Sequence, residues 1–183
     1  MSGTSVTVAI VKDNKIYIAH LGNTKAMLGR RSQSKRSILL YPLTSDHVPS
    51  VGLEKKRIYE SGGEVRKLSN SNDDKVCVRG RVFPGLSITR SLGDEVGKLI
   101  GVISKPDIVT YDLNPETDVF LLIGTDPFFS FLEDNEILNV LNFAGPSQVA
   151  TSTEILARKA VHGWTEAGMN YGDITLALSY FSH

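Results

Sequence analysis

The 183-residue sequence holds a single cysteine, Cys77, and a single tryptophan. A lone thiol excludes an internal disulfide framework, and no CxxC pair is present to suggest a structural zinc. An excess of one charge is also missing, because Lys+Arg 20 balances Asp+Glu 20 and the formal net charge is zero. Without a basic excess, nucleic acid is not an expected partner. Long hydrophobic runs are absent too. The longest, Val119-Phe120-Leu121-Leu122-Ile123-Gly124, has the length of a buried strand and falls far short of the ~20 residues a membrane span needs. With no charged-then-apolar leader, the expectation is an intracellular protein, cytoplasmic or nuclear, with no membrane partner. Neither a Gly-rich phosphate loop nor a G-x-S-x-G elbow occurs.

What remains is the composition of a folded globular domain, 41% hydrophobic and 22% charged. Two alternating runs, Thr4 to Val11 and Lys15 to Leu21, flank Asp13-Asn14 and read as a β-hairpin. Further strands are expected at Ala26 to Gly29, Ile38 to Leu43, Gly63 to Lys67, Val76 to Arg79, Asp107 to Leu113, Val119 to Thr125 and Ile174 to Phe181. Helices are expected at Val51 to Ser61, stopped by Gly62-Gly63, at Glu133 to Phe143, and at Ser147 to Gly163. The class is therefore α+β, in one domain covering 1–183. Leu68 to Lys75 has the composition of an exposed loop.

The balanced charge is unevenly spread. Lys15 to Ser45 carries Lys15, Lys25, Arg30, Arg31, Lys35 and Arg36 with no acid, so the loop around Arg30, Arg31, Lys35 and Arg36 is a candidate anion-binding or docking surface. Lys105 to Arg158 has acids alone between its ends, among them Asp126.

Asp126 follows the most apolar strand directly, which suits either a ligand-binding carboxylate or a helix-capping turn residue. Asp94 has the same two readings. Arg90, inside the run Leu86 to Asp94, needs an acidic partner if buried. His47 is either a metal ligand or a surface loop residue, with no second His or Cys at ligand spacing.

The order of short segments then becomes informative. Ser2-Gly3-Thr4-Ser5 and Ala19 to Ala26 resemble the SGTTA and NxGDSRA elements of the metal-dependent protein phosphatases, the protein phosphatase 2C family. Leu43 to Pro49 resembles LTxDHxP, Glu54 to Gly63 resembles ExxRIxxxGG, and Leu86 to Asp94 resembles LxxTRxxGD. Pro106-Asp107, Phe120 to Pro127 and Asp173-Ile174-Thr175 follow in family order, resembling PD, FLxLxSDG and DNIT.

The resemblance implies a β-sandwich of two antiparallel sheets flanked by helices, and hydrolysis of phosphoserine and phosphothreonine in proteins by two Mg²⁺ or Mn²⁺ ions. Hard cations held by several carboxylates lower the pKa of a bridging water and offset charge on the phosphoryl oxygens. It implies that the chain matches the carboxy-terminal two thirds of the family domain, without the DGHG element. Asp126 carries over as a metal ligand and Asp94 as a third-site ligand, but the pattern departs elsewhere. Asn23 stands where the family has Asp, Pro127 where it has Gly, Ser130 where it has Asp, and Gly172 where it has the last ligating Asp. Asp173 lies one residue away from that last position, an offset that turns a strand side chain to the opposite face.

The expected function is thus a degenerate phosphatase that acts as a regulatory or protein-binding module on a protein partner or phosphoprotein. The alternative is part of an active Mg/Mn-dependent Ser/Thr phosphatase. A third expectation is self-association through an exposed sheet edge.

Overall fold

Strands dominate the first two thirds of the chain and helices the last third, as the computed structural model shows over residues 2–32, 37–69, 73–169 and 172–181. The order is β1 (Gly3–Thr4), β2 (Val6–Lys12), β3 (Lys15–Leu21), β4 (Lys25–Arg31), β5 (Ile38–Pro42), α1 (Gly52–Glu60), β6 (Gly63–Lys67), β7 (Asp74–Val78), β8 (Pro84–Leu86), β9 (Leu92–Gly93), α2 (Glu95–Lys98), β10 (Asp107–Asp112), β11 (Asp118–Gly124), α3 (Asp126–Phe129), α4 (Asp134–Leu141), α5 (Val149–Glu166) and β12 (Leu176–Tyr180).

The strands form four sheets, ordered β1-β9, β10-β3-β2, β12-β11-β4-β5 and β6-β7-β8. The registers in the first, third and fourth are antiparallel. This is the α+β class expected.

Local chemistry explains most boundaries. Asp13 and Asn14 both adopt left-handed φ, 51° and 57°, the geometry a two-residue hairpin turn requires. Helix α1 ends where Gly62 takes φ +83°, a conformation that ends helices. In α4, Glu133 and Glu136 cap each other reciprocally, so two otherwise unpaired amides at the helix start find partners.

The elements absent from the sequence reading are the shortest: β1, β8, β9, α2 and α3. None spans enough residues to display a period. They exist because of tertiary partners, as when Gly3 pairs with Gly93 and Thr4 with Leu92. The loop expected at Leu68 to Lys75 is shorter than the composition suggests, since Asp74 and Lys75 pair with Lys67 and Arg66 in the β6–β7 ladder. Its residues 70–72 lie outside the described residues.

The chain divides into two compact units. The first comprises Met1–Ile10, Tyr17–Thr24 and Ser45–Val109. It contains an apolar cluster of Ile58, Val76, Ile100 and Val102, with Val65, Val78 and Leu86 packed against it. The second comprises Val11–Ile16, Lys25–Thr44 and Thr110–His183. Its core joins Met27, Phe120 and Leu122 of the sheet to Phe128, Leu132, Ile137, Leu138, Leu141, Leu156 and Ala160. Burying a Phe or Leu of this kind stabilises by about 1.5–3 kcal/mol.

Two details set the second unit's geometry. Gly29 lies opposite Phe120 in the ladder, and the ring fills the space where a side chain at position 29 would stand, with a Cβ only 2.3 Å from the ring carbon. Asp118, 1% exposed, accepts hydrogen bonds from Arg30 Nε at 2.8 Å, Tyr111 Oη at 3.0 Å and the Asn114 amide at 2.8 Å.

Gly29→Ala is therefore expected to lose about 1–3 kcal/mol by overpacking. Gly52→Ala, in the first turn of α1 with open space around it, is expected to gain about 0.4–1 kcal/mol. Urea denaturation of both variants measures the contrast, and equal effects would contradict the packing assigned to Phe120.

Candidate functional site

The motif segments bearing His47, Glu54, Arg90 and Asp107 meet in the first unit around one carboxylate. Glu54, on α1, is 3% exposed. Its Oε2 accepts from Arg57 Nη2 at 2.6 Å, one helical turn away, and from the Thr89 hydroxyl. Its Oε1 accepts from Arg90 Nη2 at 2.7 Å and Nε at 3.1 Å. Burial alone would raise the Glu54 pKa, but hydrogen bonds from Arg57, Arg90 and Thr89 outweigh it and hold the carboxyl far below the usual range. Arg57 also donates to the carbonyls of Gly101 at 2.8 Å and Thr89 at 2.9 Å, so it ties α1 to two loops.

Arg90 extends the network outward. Its Nη1 donates to Asp107 Oδ1 at 2.6 Å and to the Lys105 carbonyl at 3.0 Å. The acidic partner demanded of a buried Arg90 is thus supplied twice. The second Asp107 oxygen faces His47 Nε2 at 3.1 Å. Burial pushes the Asp107 pKa up, and the bonds from His47 and Arg90 bring it down below its ordinary value. His47 is 3% exposed, which corrects the surface-loop reading. It is locked between Asp107 and the Gly22 amide, which donates to Nδ1 at 3.1 Å. The ring stacks on His20 with centroids 4.7 Å apart. Sequence reasoning missed this histidine pair, because 27 positions separate two residues that only folding brings together.

The candidate ligands are placed as follows. Asn23, half-buried in the turn after β3, accepts from the Ser5 hydroxyl at 3.0 Å through its amide oxygen. Asp94 is 7% exposed, has φ 53°, and precedes α2. Its carboxylate stands against Gly3, where a Cβ would come within 2.0 Å of Oδ2, and its amide donates to the Ser2 carbonyl at 2.9 Å. The SGTS and GD elements therefore fit each other directly.

In the second unit, Asp126 is the exposed first residue of α3, and its carbonyl accepts from the Ser130 amide and hydroxyl. Thr125 bonds the carbonyls of Asp173 at 3.1 Å and, through its amide, Thr175 at 3.0 Å. The loop entering β12 thereby runs alongside the start of α3. Gly172 lies there too: a Cβ on it would meet Pro127 Cγ at 3.4 Å, an ordinary contact. Pro127 is further held by Trp164 Nε1, which donates to its carbonyl at 2.7 Å. Asp173 is exposed in the same loop.

Of the basic group, Arg30 is committed to Asp118 and lies over the rings of Tyr41 and Tyr111, at 5.3 and 5.6 Å. That corrects its assignment to a free docking loop. Arg31 is exposed at the end of β4, and Lys35 and Arg36 lie outside the described residues. The thiol of Cys77 is buried, burial pushes its pKa up, and it offers no nucleophile.

The donor set does not fit the two hard cations the resemblance implies. Among the described residues, no group of three or more His, Cys, Asp or Glu side chains could hold a metal ion. A neutral amide occupies position 23 and a hydrogen position 172, so neither offers a cation a charged oxygen.

The protein phosphatase 2C family model matches residues 1–157. The integrin-linked kinase-associated serine/threonine phosphatase 2C of Bos taurus is 33% identical over 139 residues, covering 76% of this chain and 34% of that protein. Probable protein phosphatase 2C 72 of Arabidopsis thaliana is 30% identical over 164 residues, covering 89% and 49%. The chain thus spans about a third to a half of the length of these relatives. Among solved structures, a serine-threonine phosphatase 2C from Toxoplasma gondii superimposes with a TM-score of 0.79 at 20% identity, over 98% of this chain and 58% of that one. A Caenorhabditis elegans sex determining protein gives 0.74 at 20% identity, over 97% and 40%. These likenesses show the fold.

Glu54→Gln is expected to cost roughly 3–5 kcal/mol, because two arginines lose the charge that compensates them. The sign with pH follows from the depressed folded-state value. Stability from Glu54 is present above its unfolded pKa of about 4.3 and lost as pH falls below it, so the Gln variant declines less steeply in acid. Urea unfolding followed by circular dichroism across that range checks both.

Proposed function

The chain belongs to the protein phosphatase 2C family, and from that premise we propose that it is a catalytically impaired member acting as a regulatory or protein-binding module. The observation that carries this is Gly172, whose backbone lies beside Pro127, next to Asp126, yet presents no donor atom. Asp126 and a second carboxylate at position 172 are what the family pattern would bring together on the resemblance, and one exposed carboxylate does not retain a hard divalent cation strongly. Asn23 supports the same reading, since its amide oxygen is occupied by Ser5. So does strand β2, which stands at the edge of its sheet with Val8 and Ile10 at least half exposed, a surface on which a partner strand can add.

The alternative is part of an active Ser/Thr phosphatase whose remaining ligands come from elsewhere in a longer parent chain. One observation favours it: the Thr125–Asp173 bond keeps a second exposed aspartate in the loop that flanks Asp126.

Mn²⁺-dependent hydrolysis of a phosphoserine peptide by the full-length parent, with calorimetric Mn²⁺ titration of the same protein, separates the two. No turnover above background and no metal heat at millimolar Mn²⁺ are expected. Turnover abolished by Asp126→Ala would establish the active alternative. Gly172→Asp is expected to fold with stability changed by no more than about 0.5 kcal/mol, since the position is exposed and free of left-handed strain. It is also expected to bind Mn²⁺ more tightly than the parent sequence, which calorimetry measures directly.

A further inference from the structure

The stacked pair His20 and His47 has a use that none of the phosphatase motifs requires. Both rings are buried, at 1% and 3% exposure, and each has both nitrogens engaged. The Gly22 amide can only donate, so His47 Nδ1, 3.1 Å away, must carry a lone pair, and the ring proton is on Nε2, directed at Asp107. The Ser45 carbonyl can only accept, so His20 bears its proton on Nε2, 3.0 Å away. His20 Nδ1 then accepts from the Thr7 hydroxyl at 2.9 Å, which in turn accepts from Thr24. The two histidines are thus fixed as neutral rings of the same tautomer.

This arrangement grips the turn after β3 from two sides. Gly22 is bonded to His47 twice, through its amide to the ring and through its carbonyl to the His47 amide at 2.8 Å. Thr24 is bonded through Thr7 to His20. Gly22 has φ +98°, and a Cβ there would strike Ser5, so the turn is held at a position that only glycine can occupy.

We infer that the His20–His47 stack is a proton-sensitive latch on the turn Gly22-Asn23-Thr24, released when the pair takes up one proton. A proton on His47 Nδ1 meets the Gly22 N–H, donor against donor, and breaks that bond. A proton on His20 is accommodated by reversing the Thr7 and Thr24 hydroxyls, but it leaves an imidazolium buried against a second ring. Lifting the turn admits water to that charge.

The groups facing the pair act in both directions. Burial opposes the proton most, and His47 opposes it on His20; the Ser45 carbonyl, Asp46 and Asp107 favour it. Asp107 is already paired with Arg90, and Arg90 with Glu54, which leaves Asp107 less able to hold a second cation. The balance keeps the His20 pKa below its ordinary 6.5. Because the folded value is depressed, the latch is intact at neutral pH, and the stability it gives is lost as pH falls below that ordinary value.

Amide hydrogen exchange of the full chain, corrected for intrinsic rates, tests this. From about pH 7.5 to about pH 5.5, protection of the Gly22 amide should fall by about tenfold relative to that of Leu122, in the other unit. A constant Gly22 to Leu122 ratio overturns the proposal, whether both stay protected or both open together. The double variant His20→Asn, His47→Asn keeps an acceptor near each Nδ1 position and removes the titration, so its Gly22 protection should be flat over the same range. An unchanged pH step in that variant also overturns it. Should the variant fail to fold, ring-carbon resonances of the wild-type histidines decide. Those of His20 should titrate together with Gly22 opening, and a His20 ring that titrates while Gly22 stays closed counts against the latch.

Discussion

A carboxylate with 3% of its surface exposed can stay ionised in a protein only if donors converge on it, and in this chain Glu54 gathers three donor residues from two segments. Arg57 comes from its own helix, while Thr89 and Arg90 come from the segment between β8 and β9, which a single β-bridge joins to Ile103. Each donor then carries the constraint on: Arg57 to Gly101, Arg90 to Asp107, Asp107 to His47, and His47 to Gly22. Remove the central charge and two guanidinium groups are left partly desolvated without compensation. The geometry of the turn bearing Asn23 therefore rests, through Arg90, Asp107 and His47, on Glu54.

The sequence made the large elements legible because their periods are long enough to repeat. Strand β11 reads as a strand from its unbroken apolar run, and α5 as a helix from Val149, Ile155, Leu156, Ala160 and Val161 at roughly helical spacing, of which Leu156 and Ala160 are buried. The hairpin was legible from Asp13-Asn14 because the turn chemistry is local. What stayed hidden was every feature whose cause lies far along the chain. Strands β1 and β9 have two residues each and no propensity that would reveal them; they form because Gly3 and Gly93 let two backbones approach. His47 carried two sequence readings, and neither was the observed one, since its burial depends on Asp107, 60 residues on. Arg30 seemed to belong with Arg31 and the basic loop, yet strand alternation and Asp118, 88 residues away, take it elsewhere.

The motif residues also divide by the reason they are present. Glu54, Arg57, Thr89, Arg90, Asp107 and His47 each have two or more folded-state partners, so changing any one strands another buried polar group, at a cost of about 1–3 kcal/mol or more. Asp126, Gly172 and Asp173 are exposed, at a helix start and in the loop that enters β12. Matching motifs in order therefore reports strongly on the first set, which maintains the fold, whereas the proposed loss of activity concerns the second.

That separation bears on the proposed role. On that proposal, a scaffold that keeps its internal polar network stays rigid where the network holds it, so its surface stays available for recognition. Pro127 illustrates the direction of change. Its ring fixes φ and removes an amide donor at the start of α3, while its carbonyl is bound by Trp164 and its Cγ faces Gly172. The segment is anchored to α5 through that Trp164 bond. The substitutions at 127 and 172 are thus neighbours in space although 45 positions separate them in the chain. A side chain added at 172 would therefore meet the Pro127 ring, at 3.4 Å from its Cβ.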